Sequence, residues 1–157
     1  MRVVEQAAGL SGTGPLRDAL TVRERLMALT QASHDAALLP RDPGGISQAA
    51  RAAFAARMAR HCRSDALAAH YDDLCGATPE AALGRPGSSG DTPRLAAMLA
   101  YVDKVTLRPR DAEPGDIEAL REAGVAEGDI VRLAGLVAFV NYQIRLAHVL
   151  GLMAEGA

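Results

Sequence analysis

Aromatic side chains are nearly missing from this 157-residue chain. They make up 3% of it, with no tryptophan, two phenylalanines and three tyrosines. That argues against a β-sandwich built on aromatic pairs and against a sheet that stacks nucleobases. An excess of one charge is missing too: 17 Lys and Arg face 19 Asp and Glu, for a formal net charge of -2. Nothing here gives the electrostatic footprint of a nucleic-acid binder. Lysine occurs once, at Lys104, and arginine in its place reads as a coding bias before it reads as function. The two cysteines, Cys62 and Cys75, are too few for a disulfide scaffold but enough for a redox couple. Long hydrophobic runs are absent as well. The most apolar stretch, Leu133 to Ile144, is bracketed by Arg132 and Arg145 and is short for a bilayer span. Met1 to Gln6 lacks the basic-then-apolar pattern of a signal peptide. The expectation is a cytoplasmic protein with no membrane or nucleic-acid partner.

What the chain has in quantity is alanine, within a hydrophobic content of 49%. That content is too high for a disordered chain, and alanine is the best helix former. The expected fold is therefore all-α. Residues 1–14, with Gly9, Gly12 and Gly14, read as a loose arm. A helical pattern follows from Pro15, with Leu16, Leu20, Leu26, Leu29 and Ala32 as its apolar positions and Thr21–Glu24 as a capping box. It stops at Pro40 to Gly45. The next helix runs from Ile46-Ser47 to about His61. Ser64-Asp65 is the expected cap of a following helix that ends at Gly76. A Gly-, Pro- and Ser-rich linker at 84–90 separates two halves that pack together. Thr92-Pro93 opens a helix that Pro109 closes, a short one spans Pro114 to Ala123, and the last runs from about Glu127 to Met153. That last helix is apolar on most sides, which places it at the centre of the bundle or of an oligomer interface.

Reactive side chains concentrate at His61-Cys62-Arg63-Ser64-Asp65 and at His70-Tyr71. A helix N-terminus at this turn would favour the Cys62 thiolate, and His70 lies within reach of a substrate held over it. Plainer readings stand beside these: Cys62 as a small buried hydrophobe and His70 as a satisfied structural histidine. On the last helix, Asn141, Arg145 and His148 form a polar stripe at i, i+4 and i+7. Arg145 could hold a carboxylate that Asn141 orients, or pair with an acid across a subunit interface. The four histidines, His34, His61, His70 and His148, have no paired spacing that defines a metal site, and no cofactor is expected.

The frame Ile46 to Arg60, followed by a turn and Ala68-Ala69-His70-Tyr71, resembles the core helix pair of the alkylhydroperoxidase D and carboxymuconolactone decarboxylase superfamily. Leu120 to Val125, Asp129-Ile130-Val131 and Phe139 to Ala147 are similar to the closing helices of its peroxidase-related branch. The likeness spans roughly residues 15 to 153. It implies an AhpD-like helical bundle of about six to eight helices that assembles as a homo-oligomer: a dimer, trimer or hexamer. Active members carry Cys-x-x-Cys-x-x-x-His with a Glu about a dozen residues earlier. One thiolate attacks the peroxide, the second resolves the sulfenic acid, and Glu and His relay protons. With His70 as the motif histidine, the cysteine positions fall on Arg63 and Ala66, and the Glu position on Arg51. Only His70 matches, so the dithiol peroxidase mechanism is not expected.

The expected function is acid–base chemistry by His70 on a small carboxylate substrate, with Asn141, Arg145 and Tyr71 as binding residues. Two alternatives are a non-catalytic subunit, partnering a motif-bearing relative, and a one-cysteine peroxidase built on Cys62.

Overall fold

A computed structural model describes residues 1–10 and 12–155. Among them the regular elements are all helical: α1 (Val3–Ala7), α2 (Pro15–Val22), α3 (Glu24–Leu38), α4 (Gln48–His61), α5 (Asp65–Cys75), α6 (Pro93–Leu107), α7 (Pro114–Glu122) and α8 (Glu127–Glu155). Short 3-10 helices cover Pro79–Gly84 and Pro109–Asp111. The all-α expectation and most of the helix ends hold. The Ser47 hydroxyl accepts from the Ala50 N–H at 3.0 Å to start α4, and Thr92 does the same for Leu95 at 3.2 Å to start α6.

The centre of the bundle is α4, not the last helix. Every residue from Ala50 to Ala59 is buried, and α5, α6, α8, α3 and the Pro79–Gly84 helix all pack on it. Its seven alanines explain this, because short side chains let neighbouring backbones approach on all sides. By length and composition, the 29-residue α8 could cross a membrane. In the fold, Leu133, Leu136, Val137, Val140 and Leu150 face the core, while Val131, Tyr142, Val149 and Leu152 stay exposed.

Two arginines are buried inside α4, and every guanidinium nitrogen of each finds an acceptor. Arg51 donates to the carbonyls of Ala37, Pro43 and Ile46 at 2.9–3.0 Å, fastening the α3–α4 loop. Arg57 grips Asp103 on α6 through both ends of its guanidinium, each bond 2.6 Å, and His61 reaches the same carboxylate at 2.9 Å. Arg57 also holds the carbonyls of Arg85 (2.7 Å) and Ser88 (3.0 Å), so the expected linker is pinned to the core. The α3–α4 loop is tied at its other end by Asp129, which accepts from the Gly45 N–H at 2.9 Å and from Arg94 at 3.2 Å.

Three further expectations change. The loose arm holds α1, which packs on α8 and α5; Val4 and Glu5 are buried, with Glu5 between Arg2 and Arg17. Thr21 caps nothing, since α2 runs through it and its hydroxyl bonds the Arg17 carbonyl. The buried face of α3 is Met27, Thr30, His34 and Leu38, whereas Leu26 and Leu29 are more than half exposed.

Candidate functional site

On the inner face of α3, the His34 ring is almost fully buried. One turn of α5 brings His70 to it, with the two Nε2 atoms 3.0 Å apart. On its other side, His34 Nδ1 lies 3.0 Å from the Asp35 carboxylate. An ionised carboxylate only accepts, so His34 Nδ1 carries the proton there and its Nε2 lone pair takes the Nε2–H of His70. Gln31 steadies the carboxylate, donating to it at 2.9 Å. The result is a chain, Asp35–His34–His70, that leaves His70 Nδ1 as the open acceptor. Burial, and then the neighbouring His34 ring, push the His70 pKa below its ordinary value, against a weaker pull from Asp73. The hydrogen bond from His34 holds the Asp35 carboxyl below the usual carboxylate range. His70 is therefore neutral and able to take a proton near pH 7.

Tyr71, expected to touch substrate, is fully buried instead. Its hydroxyl donates to Gln143 on α8 at 2.5 Å, and its ring lies nearly parallel to that of His34. Burial pushes its phenol far up. Its role is to lock α5 to α8 behind the histidine pair.

A second feature lies at the start of α5. A groove of about 560 Å³ runs between the end of α1, the α4–α5 turn and the last turns of α8; Cys62, Arg63, Ala66, Arg145 and His148 are among its lining residues. Asp65 and Glu155 also line it. The structure thus brings Cys62 and Arg145 together. It leaves His70, Tyr71 and Asn141 out of the lining. Asn141 is occupied along its own helix, donating to the Val137 carbonyl and accepting from Arg145 at 3.2 Å. Among the described residues, no carboxylate pairs with Arg63, Arg145 or His148.

The Cys62 thiol does not match the activated sulfur expected of a helix N-terminus. Desolvation pushes its pKa up, with Arg145 pulling weakly the other way. The reason is local. Cys62 closes α4, its N–H bonded to the Met58 carbonyl at 3.1 Å, so it sits at the negative end of one helix before the positive end of the next begins. Nor does Ser64 cap α5 with its side chain. Its N–H is bonded back to Ala59 (2.9 Å) and that of Arg63 to Arg60 (3.1 Å), which is a Schellman closure of α4 with Arg63 at φ 57°. Both cysteines are free thiols: Cys62 is exposed, not the small buried hydrophobe of the plainer reading, and Cys75 is buried beside the Thr78 hydroxyl.

No family model matches the chain, and no curated protein matches it. Among solved structures, it is similar to the crystal structure of an alkylhydroperoxidase AhpD core, an uncharacterized peroxidase-related protein from Ralstonia eutropha JMP134. Identity is 26% and the TM-score 0.54, over 93% of this chain and 78% of that one. The chain belongs to the AhpD-like superfamily.

Arg63 and Ala66, the cysteine positions expected if His70 is the motif histidine, both line the groove. His70 stands one turn beyond Ala66 on the same face of α5, a Cβ separation of about 6 Å. Arg51, the Glu position expected on that same register, is a buried fastener with all its bonds to backbone carbonyls. His34, Asp35 and Gln31 were missed in the sequence. Their one signal was position, since His34 falls at i+4 from Thr30 and i+7 from Met27, on a face that seemed too polar to be buried.

Proposed function

We propose that this AhpD-like protein binds a small carboxylate-bearing substrate in the groove beside Cys62 and moves a proton on it with His70. Arg145 is the anion anchor. The Asp35–His34–His70 chain, with both links at 3.0 Å, is the observation that carries this reading. A neutral His70 accepts a substrate proton at Nδ1 while its Nε2–H is shared with His34. The Asp35 carboxylate offsets the charge that develops, as an orienting acid does behind any histidine base. The placement of Ala66 in the groove supports the reach: a substrate lying over Ala66 extends one turn to His70. Peroxide reduction at Cys62 fits less well, because a thiol at a helix C-terminus with its pKa raised is a poor nucleophile at neutral pH. The protein is further proposed to act in the cytoplasm as a homo-oligomer without a cofactor.

Calorimetry or NMR titration with a panel of small mono- and dicarboxylates tests the anchor. Loss of a charge-assisted bond in Arg145→Ala is expected to weaken binding by about tenfold or more. His70→Gln is expected to leave binding intact and abolish turnover. Equal carboxylate affinity in wild type and Arg145→Ala would overturn the reading. A chain without chemistry, serving as an oligomeric subunit, is the second reading; the exposed Val131, Tyr142, Val149 and Leu152 of α8 favour it.

A further inference from the structure

His34 and His70 are 36 positions apart, on α3 and α5, so no spacing along the chain pairs them. In the fold their Nε2 atoms face each other at 3.0 Å. Two imidazole nitrogens bound to one ion, each at about 2.0–2.1 Å, stand about 2.9 Å apart at a right angle and about 3.3 Å apart at the tetrahedral angle. The pair therefore already has the span of two ligands on a single cation. Its outer partners fit as well. A histidine that holds a metal through one nitrogen commonly donates its other N–H to a carboxylate, which fixes ring and tautomer. His34 has this arrangement: its Nδ1 lies 3.0 Å from Asp35, and Gln31 holds that carboxylate at 2.9 Å. The ring of Tyr71 lies nearly parallel to that of His34 and Phe139 packs edge-on to it, so the ring keeps its aim. A third donor is close. Asp73 follows His70 by three positions on the same side of α5, is exposed, and pulls the His70 pKa upward against burial. Among the described residues, its carboxylate has no hydrogen bond or ion pair.

We infer that His34, His70 and Asp73 form a site for a divalent cation of the zinc, nickel and copper class, with water completing its shell. Imidazole nitrogen selects these ions over calcium and magnesium, which take oxygen. Helical bundles build metal sites in this manner, from facing helices and from histidine and carboxylate ligands three positions apart on one of them. His34 is buried, His70 half-buried and Asp73 exposed, so the ion enters from the Asp73 side. The site goes beyond the proton transfer proposed above and opposes it. To ligate, His70 must present its Nε2 lone pair, so its proton moves to Nδ1, the atom that would accept from substrate. Both rings stay neutral and no proton is released; the cation replaces the hydrogen that the two nitrogens share. Ion and substrate proton thus compete for one imidazole, and the ion silences the base instead of serving as its cofactor.

Calorimetric titration of untagged, reduced protein with Zn²⁺ tests the site, and without any carboxylate present it reads the ion alone, independent of turnover. The wild type is expected to bind one ion per chain. His70→Ala is expected to weaken binding by at least about tenfold, and Asp35→Asn, which frees the His34 ring, by a similar factor. Asp73→Asn, at an exposed position, is expected to weaken it with an unchanged helical circular dichroism spectrum. The double variant Cys62→Ser/His148→Ala strips the rival donors from the groove and is expected to bind as the wild type does. In NMR of the histidine ring nitrogens, Zn²⁺ is expected to move the His70 proton from Nε2 to Nδ1. A wild type without saturable binding overturns the inference, as does wild-type affinity in His70→Ala. Loss of binding in Cys62→Ser/His148→Ala places the ion in the groove and overturns it too.

Discussion

Arg57 and Arg145 carry the same guanidinium to opposite ends. Arg57 is buried in α4 with a bidentate carboxylate and backbone carbonyls around it, while Arg145 stands exposed on α8 with hydrogen bonds only to Asn141 of its own helix. A buried charge survives only when its hydrogen bonds are complete. Charges free of that constraint are the ones available to a ligand. The difference separates the chain's arginines into those that hold the bundle together and those that line the groove.

The sharpest way to break the comparison is Arg57→Ala. It leaves Asp103 with His61 alone and the carbonyls of Leu83, Arg85 and Ser88 without their donor, and a loss of about 3 kcal/mol in chemical denaturation is expected. Next comes Gly45→Ala. A Cβ there would lie 2.1 Å from an Asp129 oxygen, so the carboxylate must move off the loop it ties, at about 2 kcal/mol.

His34→Ala is expected to act through titration more than through packing. Removing the His34 ring takes away one of the two causes that depress the His70 pKa, so proton NMR should show it rise toward 6.5. The sign for stability follows. Unfolded His70 binds protons more readily than folded His70, so its contribution is whole above pH 6.5 and declines as pH falls below that value. The variant should show a shallower decline. Arg145→Ala stands last, with a stability change within about 0.5 kcal/mol, and a larger one would mean that Arg145 belongs with Arg57.

Helix boundaries were legible in the sequence wherever a local signal sets them. Pro93, Pro114 and Ser47 start their helices by removing or satisfying orphan N–H groups, and Gly76 and Gly124 end them. Leu26 and Leu29 misled because periodicity reports that a face is apolar, not whether the same chain covers it. His34 and Arg51 show the reverse: a polar side chain is buried only when partners from distant segments meet it, and those partners are set by the fold. That His70 has a histidine behind it was not legible, since α3 and α5 meet only in the folded chain.

The Schellman turns close on this reading from another side. After α1 and α7 the left-handed position is filled by Gly9 (φ 66°) and Gly124 (φ 82°), which have no Cβ to strain. After α4 the same turn is built on Arg63, at a backbone cost of about 1 kcal/mol that glycine would not incur. The one non-glycine residue with positive φ among the described residues is also a lining residue of the groove. Fold stability and groove charge therefore compete for a single position: Arg63→Gly would make a sturdier protein with one cation fewer at its opening.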